Sequence, residues 1–389
     1  MEKVKNQLLP AKRITPDNGH YFYGYYDNPA FDGEARYHLC HRVPFYDRYP
    51  TADDTAELGM IELATGRYIP LAETTCWNFQ QGTMLQWHPA APNDEVIFNA
   101  REDGACRGVV LNVHTKARRL LEQPVVNVDP TGRWALSVNF DRMFDFRPGY
   151  GYAGKRDRFY DEPQPAADGV YLTELATGES RLVLSLAEIG ALTGADPGAK
   201  LLVNHINFNT DGSRFLLLAR NFPTAGGHWK TAMLTANSDG SDPFLLSGYA
   251  SASHYHWRDR EQLVIWASSQ VASSPGEQLL VLQDQTQQKE ALDPAFFLRD
   301  GHCSYSPDRK WLLYDSYPDA DHYRHLYVYD LVRRQGHTLA SYYSDPAISG
   351  DLRCDLHPRW TRFGTAISFD SIHEGQRAIY SMDVREIIG

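Results

Sequence analysis

One unit recurs along the chain, and it constrains the fold more than any other feature. VNHINFNTDGSRFLLLAR (203–220), DGHCSYSPDRKWLLYDS (300–316) and CDLHPRWTRFGTAISFDS (354–371) align on a turn. Each has a short strand, a turn around Asp or Gly, and a second β-rich strand. A third strand ending in a polar turn follows in TAMLTANSDGSDPFLLS, HLYVYDLVRRQGHTLAS and AIYSMDVREI. Units of this kind begin near Tyr23, Met84, Val125, His205, His254, His302 and His357, about 40 to 80 residues apart. Seven strand-turn-strand units with room for a fourth strand predict an all-β, seven-bladed β-propeller spanning 1–389 as one domain. The last unit runs out near Gly389, one outer strand short, and QLLPAKRIT (7–15) is expected to supply it and close the ring. A pair of β-sandwiches would also be strand-rich, but it does not explain one unit type recurring through the chain, and no linker divides the sequence.

Composition agrees with a turn-rich β protein: 29 Gly and 22 Pro are spread along 389 residues, and aromatics make up 12 %. The formal charge of −11 argues against nucleic acid or an anionic membrane as partner, so an anionic ligand needs a local basic pocket. No window approaches the roughly 18 apolar residues of a membrane span. The first twenty residues have no apolar run of the signal-peptide type, and a cytoplasmic location is expected. Cys40, Cys76, Cys106, Cys303 and Cys354 are odd in number and show no C-x-x-C spacing, which favours free thiols over disulfides or a zinc ribbon.

Histidines recur in phase with the repeat. His205, His302 and His357 each lie seven residues before the turn position held by Gly212, Arg309 and Gly364. An aromatic follows each by three, in HINF, HCSY and HPRW. HYHW (254–257) fits with a shorter turn, and HYFY (20–23) more loosely. In a propeller, equivalent positions at the start of the innermost strands converge on the axis, where several neutral imidazoles suit a borderline divalent metal. Asp355, two residues before His357, shares its strand face and offers an oxygen ligand or an orienting partner. The aromatics three residues on face the other way and are expected to pack between blades.

At SHYHW (253–257), DGHCSYSPD (300–308) and DLHPRW (355–360) the chain resembles the oligogalacturonate lyase family. These are seven-bladed propellers that bind a Mn-type ion and cleave uronate-containing oligosaccharides by β-elimination. The resemblance covers the second half directly and the first half only through its blade-like periodicity. It implies a functional role for His254, a metal ligand at His302, and at His357 the last ligand of a Gln-x-x-His-x-His pattern. The pattern's other histidine falls on Asp355 and its glutamine on Leu352. A more oxygen-rich metal shell is therefore implied, of His302, Asp355 and His357, with His205 as a possible replacement ligand. The family's catalytic arginine falls near Ala232, and Arg220 and Lys230 are the nearest bases.

β-Elimination from a uronide needs the carboxylate neutralised, a base for the C5 proton and an acid for the leaving oxygen. Arg353 and Arg359 flank the metal candidates and are placed to bind a carboxylate in bidentate fashion or to bridge blades. HYFYGYYDNP (20–29) is rich enough in aromatics to form a sugar-stacking wall, which nominates His20, Tyr25, Tyr26 and Asp27. The insertion 141–163 is too long for a hairpin and carries five bases against three acids within 141–158. It nominates Tyr150 and Tyr152 as further substrate contacts. Gln81, in WNFQQGTMLQWHP (77–89), stands where other units place their histidine. The expected partner is thus an anionic oligosaccharide, with His254, Arg220 and Lys230 as catalytic groups and a divalent metal, Mn by resemblance, as cofactor. A glycoside hydrolase would instead need paired carboxylates, for which Asp27, Asp53, Asp54 and Asp355 are candidates. A non-catalytic carbohydrate-binding propeller is the third reading.

Overall fold

The computed structural model describes residues 2–222, 228–269 and 276–389. Its strands form seven antiparallel sheets arranged as the blades of a β-propeller. The innermost strands of blades 1 to 7 are His20–Phe22, Gln86–Trp87, Asn127–Val128, Lys200–Phe208, Ala252–Trp257, Cys303–Tyr305 and Arg359–Trp360. In blade 7, the outer position beside Ala378–Asp383 is held by Ala11–Arg13, from the other end of the chain. Val4–Lys5 adds a fifth strand to blade 6 by pairing with Gln335–Tyr343. No described helix is long and apolar enough to cross a membrane.

The β-rich second strands read as near-continuous apolar runs because both of their faces are buried. In Arg214–Phe222, the residues Phe215, Leu217 and Ala219 join the core shared with blade 3. Leu216 and Leu218 join the core shared with blade 5. Period-two alternation therefore feeds two inter-blade cores from one strand. The same split recurs in Trp311–Asp315, with Leu313 on one side and Leu312 and Tyr314 on the other. The turn aligned in the sequence has one geometry: Gly212, Arg309 and Gly364 have φ of 74°, 62° and 70°. Phe208, Trp257, Tyr305 and Trp360 pack at blade boundaries. Trp257 donates to the Asn207 carbonyl of blade 4, and Trp360 to the Ser304 carbonyl of blade 6.

The aromatic segment after the first strand does something its composition did not reveal: it runs through the central channel. Tyr23 and Gly24 donate their backbone N–H to Asp370 of blade 7, and Tyr26 bonds Tyr255 of blade 5. Asp27 bonds Asn207 of blade 4, and the Pro29 carbonyl accepts from Trp87 of blade 2. Gly24 is required here, since it has φ of 107° and a Cβ would lie 2.8 Å from the Gln81 backbone. Tyr25 and Tyr26 are buried, so this segment forms a plug with a cavity at each end of the channel.

Candidate active site

Irregular strand geometry aims the phased histidines. The pairing of blade 4's inner strand with its neighbour slips between Asn204 and Ile206, leaving His205 as a bulge residue with φ of 56°. The slip between Ala252 and Tyr255 frees His254 in the same way. Bulges re-aim side chains, and here they turn the imidazoles toward the axis. His302 and His357 instead sit just before their strands, His357 with φ of 42°. The four rings form a chain across blades 4 to 7, with centroids 6.0 Å apart for His205–His254, 4.0 Å for His254–His302 and 4.2 Å for His302–His357. Tyr25 stacks on His205 and bonds its Nδ1, while Tyr26 packs against His254, His302 and His357.

His302, Asp355 and His357 bring one ligand atom each within 4.8 Å of one another. Asp315 determines the state of His302. Its carboxylate accepts from the backbone N–H of His302 at 2.7 Å and of His357 at 3.0 Å, and from His302 Nδ1 at 2.9 Å. The Nδ1 proton is thereby fixed and the Nε2 lone pair faces inward, 3.1 Å from His357 Nε2. Burial holds both imidazoles well below the ordinary histidine range, reinforced at His302 by the neighbouring His254 and at His357 by His302. Burial by itself would raise the Asp355 carboxyl. Arg353 at 2.8 Å and Arg324 at 2.6 Å overcome that and keep it ionised. Two neutral imidazoles and one carboxylate are a donor set that fits a divalent ion. Gly301 is needed beside them, because a Cβ there would lie 1.8 Å from the Asp315 carbonyl.

Beside this group opens a cavity of about 710 Å³ lined by His205 and His254. Its charged lining is Arg147, Arg220, Lys230 and Arg353 against Asp300 alone. Arg147 and Arg220 donate to the same Asn204 Oδ1, at 2.7 and 3.0 Å, and neither has a carboxylate partner among the described residues. Burial and the adjacent Arg147 push the Arg220 guanidinium well below its usual range. Trp229 lies over Arg220, and Tyr150 over Arg147. Arg353 donates to the hydroxyls of Tyr150 and Tyr317, and its loop is held by Gln80 and Arg377 through the Arg353 carbonyl. His254 Nδ1 lies 3.1 Å from Asp300, which leaves its Nε2 as the acceptor.

No family model matches the chain, and no curated protein sequence does. Solved structures do. An oligogalacturonate lyase in complex with manganese is 15 % identical over 98 % of this chain and 95 % of its own, with a TM-score of 0.69. The chain shares its fold with the oligogalacturonate lyases. A second one, from Vibrio parahaemolyticus, is 14 % identical over 98 % and 96 %, with a TM-score of 0.67. The β-propeller domain of the Trilobed protease from Pyrococcus furiosus is 8 % identical over 93 % and 96 %, with a TM-score of 0.54. At such identities the likeness to the lyases is one of fold.

Not every residue nominated from the sequence reaches this site. Arg359 is buried against Asp370 at 2.5 Å, over the Tyr23 ring, and faces the other end of the channel, as does Asp27. Tyr152 stacks on Phe140 at 4.3 Å and accepts from Asn99, deep in the core between blades. His20 packs on Tyr46, away from the four clustered rings. Gln81 is buried, its backbone N–H bonded to Asn78. Lys230 is an exposed residue of the cavity rim. Of the bases in 141–158, only Arg147 lines the cavity. Arg142 is a buried staple to Asp157 and four carbonyls. Asp315, Arg324, Asp300, Tyr317, Asn204 and Arg147 were not singled out from the sequence as site residues. The lone signal for any of them was the basic excess around Arg147, because the others are defined by cross-strand and cross-blade contacts.

Proposed function

We propose that the chain is a metal-dependent lyase that cleaves a uronate-containing oligosaccharide by β-elimination. The observation that carries this reading is the paired Arg147 and Arg220, without carboxylate partners among the described residues, in a cavity that opens beside the histidine cluster. In a chain of formal charge −11, two adjoining cations held without counter-charge are a site prepared for an anion.

His302, His357 and Asp355 would hold a divalent ion, Mn in this reading, whose charge neutralises the substrate carboxylate and makes the C5 proton acidic. Arg353, fixed between Tyr150 and Tyr317, binds the carboxylate from the same side. His254, its Nδ1 proton turned toward Asp300, presents Nε2 as base for the C5 proton, and Arg220 is the second candidate for that role. The hydroxyls of Tyr150 and Tyr317 are the proton donors nearest these groups for the leaving oxygen. A hydrolase on this scaffold would need two carboxylates flanking the bond. Asp300 is the one acidic residue among the described residues that line the cavity. Asp355 is engaged by two guanidiniums, Asp54 by Arg48, Asp53 is exposed, and Asp27 lies at the far end.

The test is incubation with a panel of uronate-containing oligosaccharides, with and without chelator, following the ultraviolet absorbance of the conjugated unsaturated product. The expected result is absorbance that chelator abolishes and Mn restores. New reducing ends without that absorbance would establish hydrolysis instead, and no turnover across the panel would establish a binding protein.

A further inference from the structure

The far end of the channel, beyond the plug, holds a second cationic cavity that the proposed reaction does not use. Its volume is about 300 Å³, and Arg309, Arg359 and Arg362 line it together with Ser304 and Asp27. Arg309 and Arg362 are half-buried and make no ion pair among the described residues. Arg359 is 2 % exposed; one arm is bound by Asp370, while its Nε and Nη1 have no hydrogen-bond partner among the described residues. Ser304 Oγ, 5 % exposed, and Arg362 Nη2 are likewise unpartnered. A buried donor left without an acceptor is destabilising unless something accepts from it. Four such donors around one cavity mark the place of a missing acceptor.

While Asp259, Asp32 and Asp370 lie near Arg309, Arg362 and Arg359 outside the cavity, Asp27 is the carboxyl that lines it with these arginines. Burial pushes it up to about 7, so it does not offer the arginines a full counter-charge at neutral pH, and in its protonated form it is a further donor. The cavity has less than half the volume of the one beside the histidines, enough for a single charged group with a few atoms attached.

We propose that this far mouth is a second, independent anion site that takes one small oxyanion, a phosphate or the carboxylate of a small acid, between Arg309, Arg359, Arg362 and Ser304. The site does not depend on the lyase reading, since the plug separates it from the histidine cluster. Isothermal titration of the full chain at constant ionic strength, with inorganic phosphate and separately with acetate, tests it. The Arg147→Gln variant breaks up the paired cations of the first cavity by removing one of them and is expected to retain this binding. The Arg309→Gln/Arg362→Gln double variant is expected to weaken it at least about tenfold, and Ser304→Ala, which deletes one hydroxyl, by about threefold. Circular dichroism checks that each variant is folded. Binding of phosphate alone or of acetate alone identifies which oxyanion the site prefers. No binding of either, or binding unchanged in both the double variant and Ser304→Ala, overturns the proposal.

Discussion

Replacing Arg220 with methionine is expected to stabilise the protein while disabling its anion cavity. Arg220 is 2 % exposed, and its guanidinium shares the Asn204 oxygen with Arg147 at 3.0 and 2.7 Å. Nitrogens bonded to one oxygen at those lengths are no more than about 6 Å apart, so at an effective dielectric of ~20 the two charges repel by about 3 kcal/mol. Burying the cation costs several kcal/mol more. Against this stand hydrogen bonds to Asn204 and to Thr231 at 2.7 Å, each contributing about 1.5–3 kcal/mol. The face of Trp229, 4.3 Å away, contributes about 1 kcal/mol. Methionine fills most of the volume without the charge, and a net gain of about 1–3 kcal/mol follows, in the range seen when buried ions are replaced by apolar side chains. For 389 residues the unfolding entropy is about 0.8 kcal/mol/K, so Tm should rise by about 1–4 °C in a thermal melt. Binding of a uronate oligosaccharide by the same variant should weaken at least about tenfold. A Tm lowered by more than about 2 °C would refute the reasoning, because the guanidinium would then be a structural tie and not a charge held in reserve for a ligand.

Other expectations follow from the same geometry. Tyr150→Phe removes a hydroxyl that Arg353 donates to and should lower kcat/KM about tenfold, whereas Tyr152→Phe loses only the Asn99 contact, costing about 1 kcal/mol of stability with turnover unchanged. Steady-state kinetics and melts on both separate the cavity tyrosine from the core one. Gly301→Ala puts a methyl against the Asp315 carbonyl and should displace His302, lowering metal affinity about 10- to 100-fold by titration. Acid should destabilise the fold well above the carboxylate range. Burial lowers His41 and His256 to about 3 and His373 to about 4, so each is neutral in the native state while the unfolded chain takes up a proton below about 6.5. Stability present above that pH is lost as pH falls, by about 1.4 kcal/mol per unit for each histidine. Asp27, raised to about 7, has the opposite sign, because the native state then binds the proton and gains stability as pH falls below 7. For these four groups the net is a loss of about 2–3 kcal/mol between pH 6 and pH 5. Denaturant midpoints that do not move over that interval would contradict these burial effects.

The propeller was legible because its information is local. Strand-turn-strand units carry their own punctuation, and the left-handed turn at Gly212, Arg309 and Gly364 sits at one offset from each histidine. That offset is why His205, His302 and His357, with His254 on a shorter turn, could be read as converging from four successive blades, while His20, fitted more loosely to the same set, packs on Tyr46 apart from them. Other features depend on what the ring of blades brings together. Tyr150 and Tyr152 are indistinguishable in a loop sequence, yet one lies under Arg147 and the other against Phe140. Arg353 and Arg359 flank the same histidine, yet they face opposite ends of the channel, one beside Asp355 and the other bound to Asp370.

The sequence by itself determined the blade unit, its number and the phase of the histidines, since each rests on period-two alternation and on turns a few residues long. Only the tertiary structure decided which charges meet. The tyrosine-rich segment became a channel plug through bonds to blades 2, 4, 5 and 7, and Asp315 became the anchor of His302 through a strand register. Arg147 and Arg220 were brought onto one amide oxygen from separate blades. An ionisable side chain acquires its function from the few ångströms around it, and in a ring of blades those ångströms are filled by residues remote in the chain.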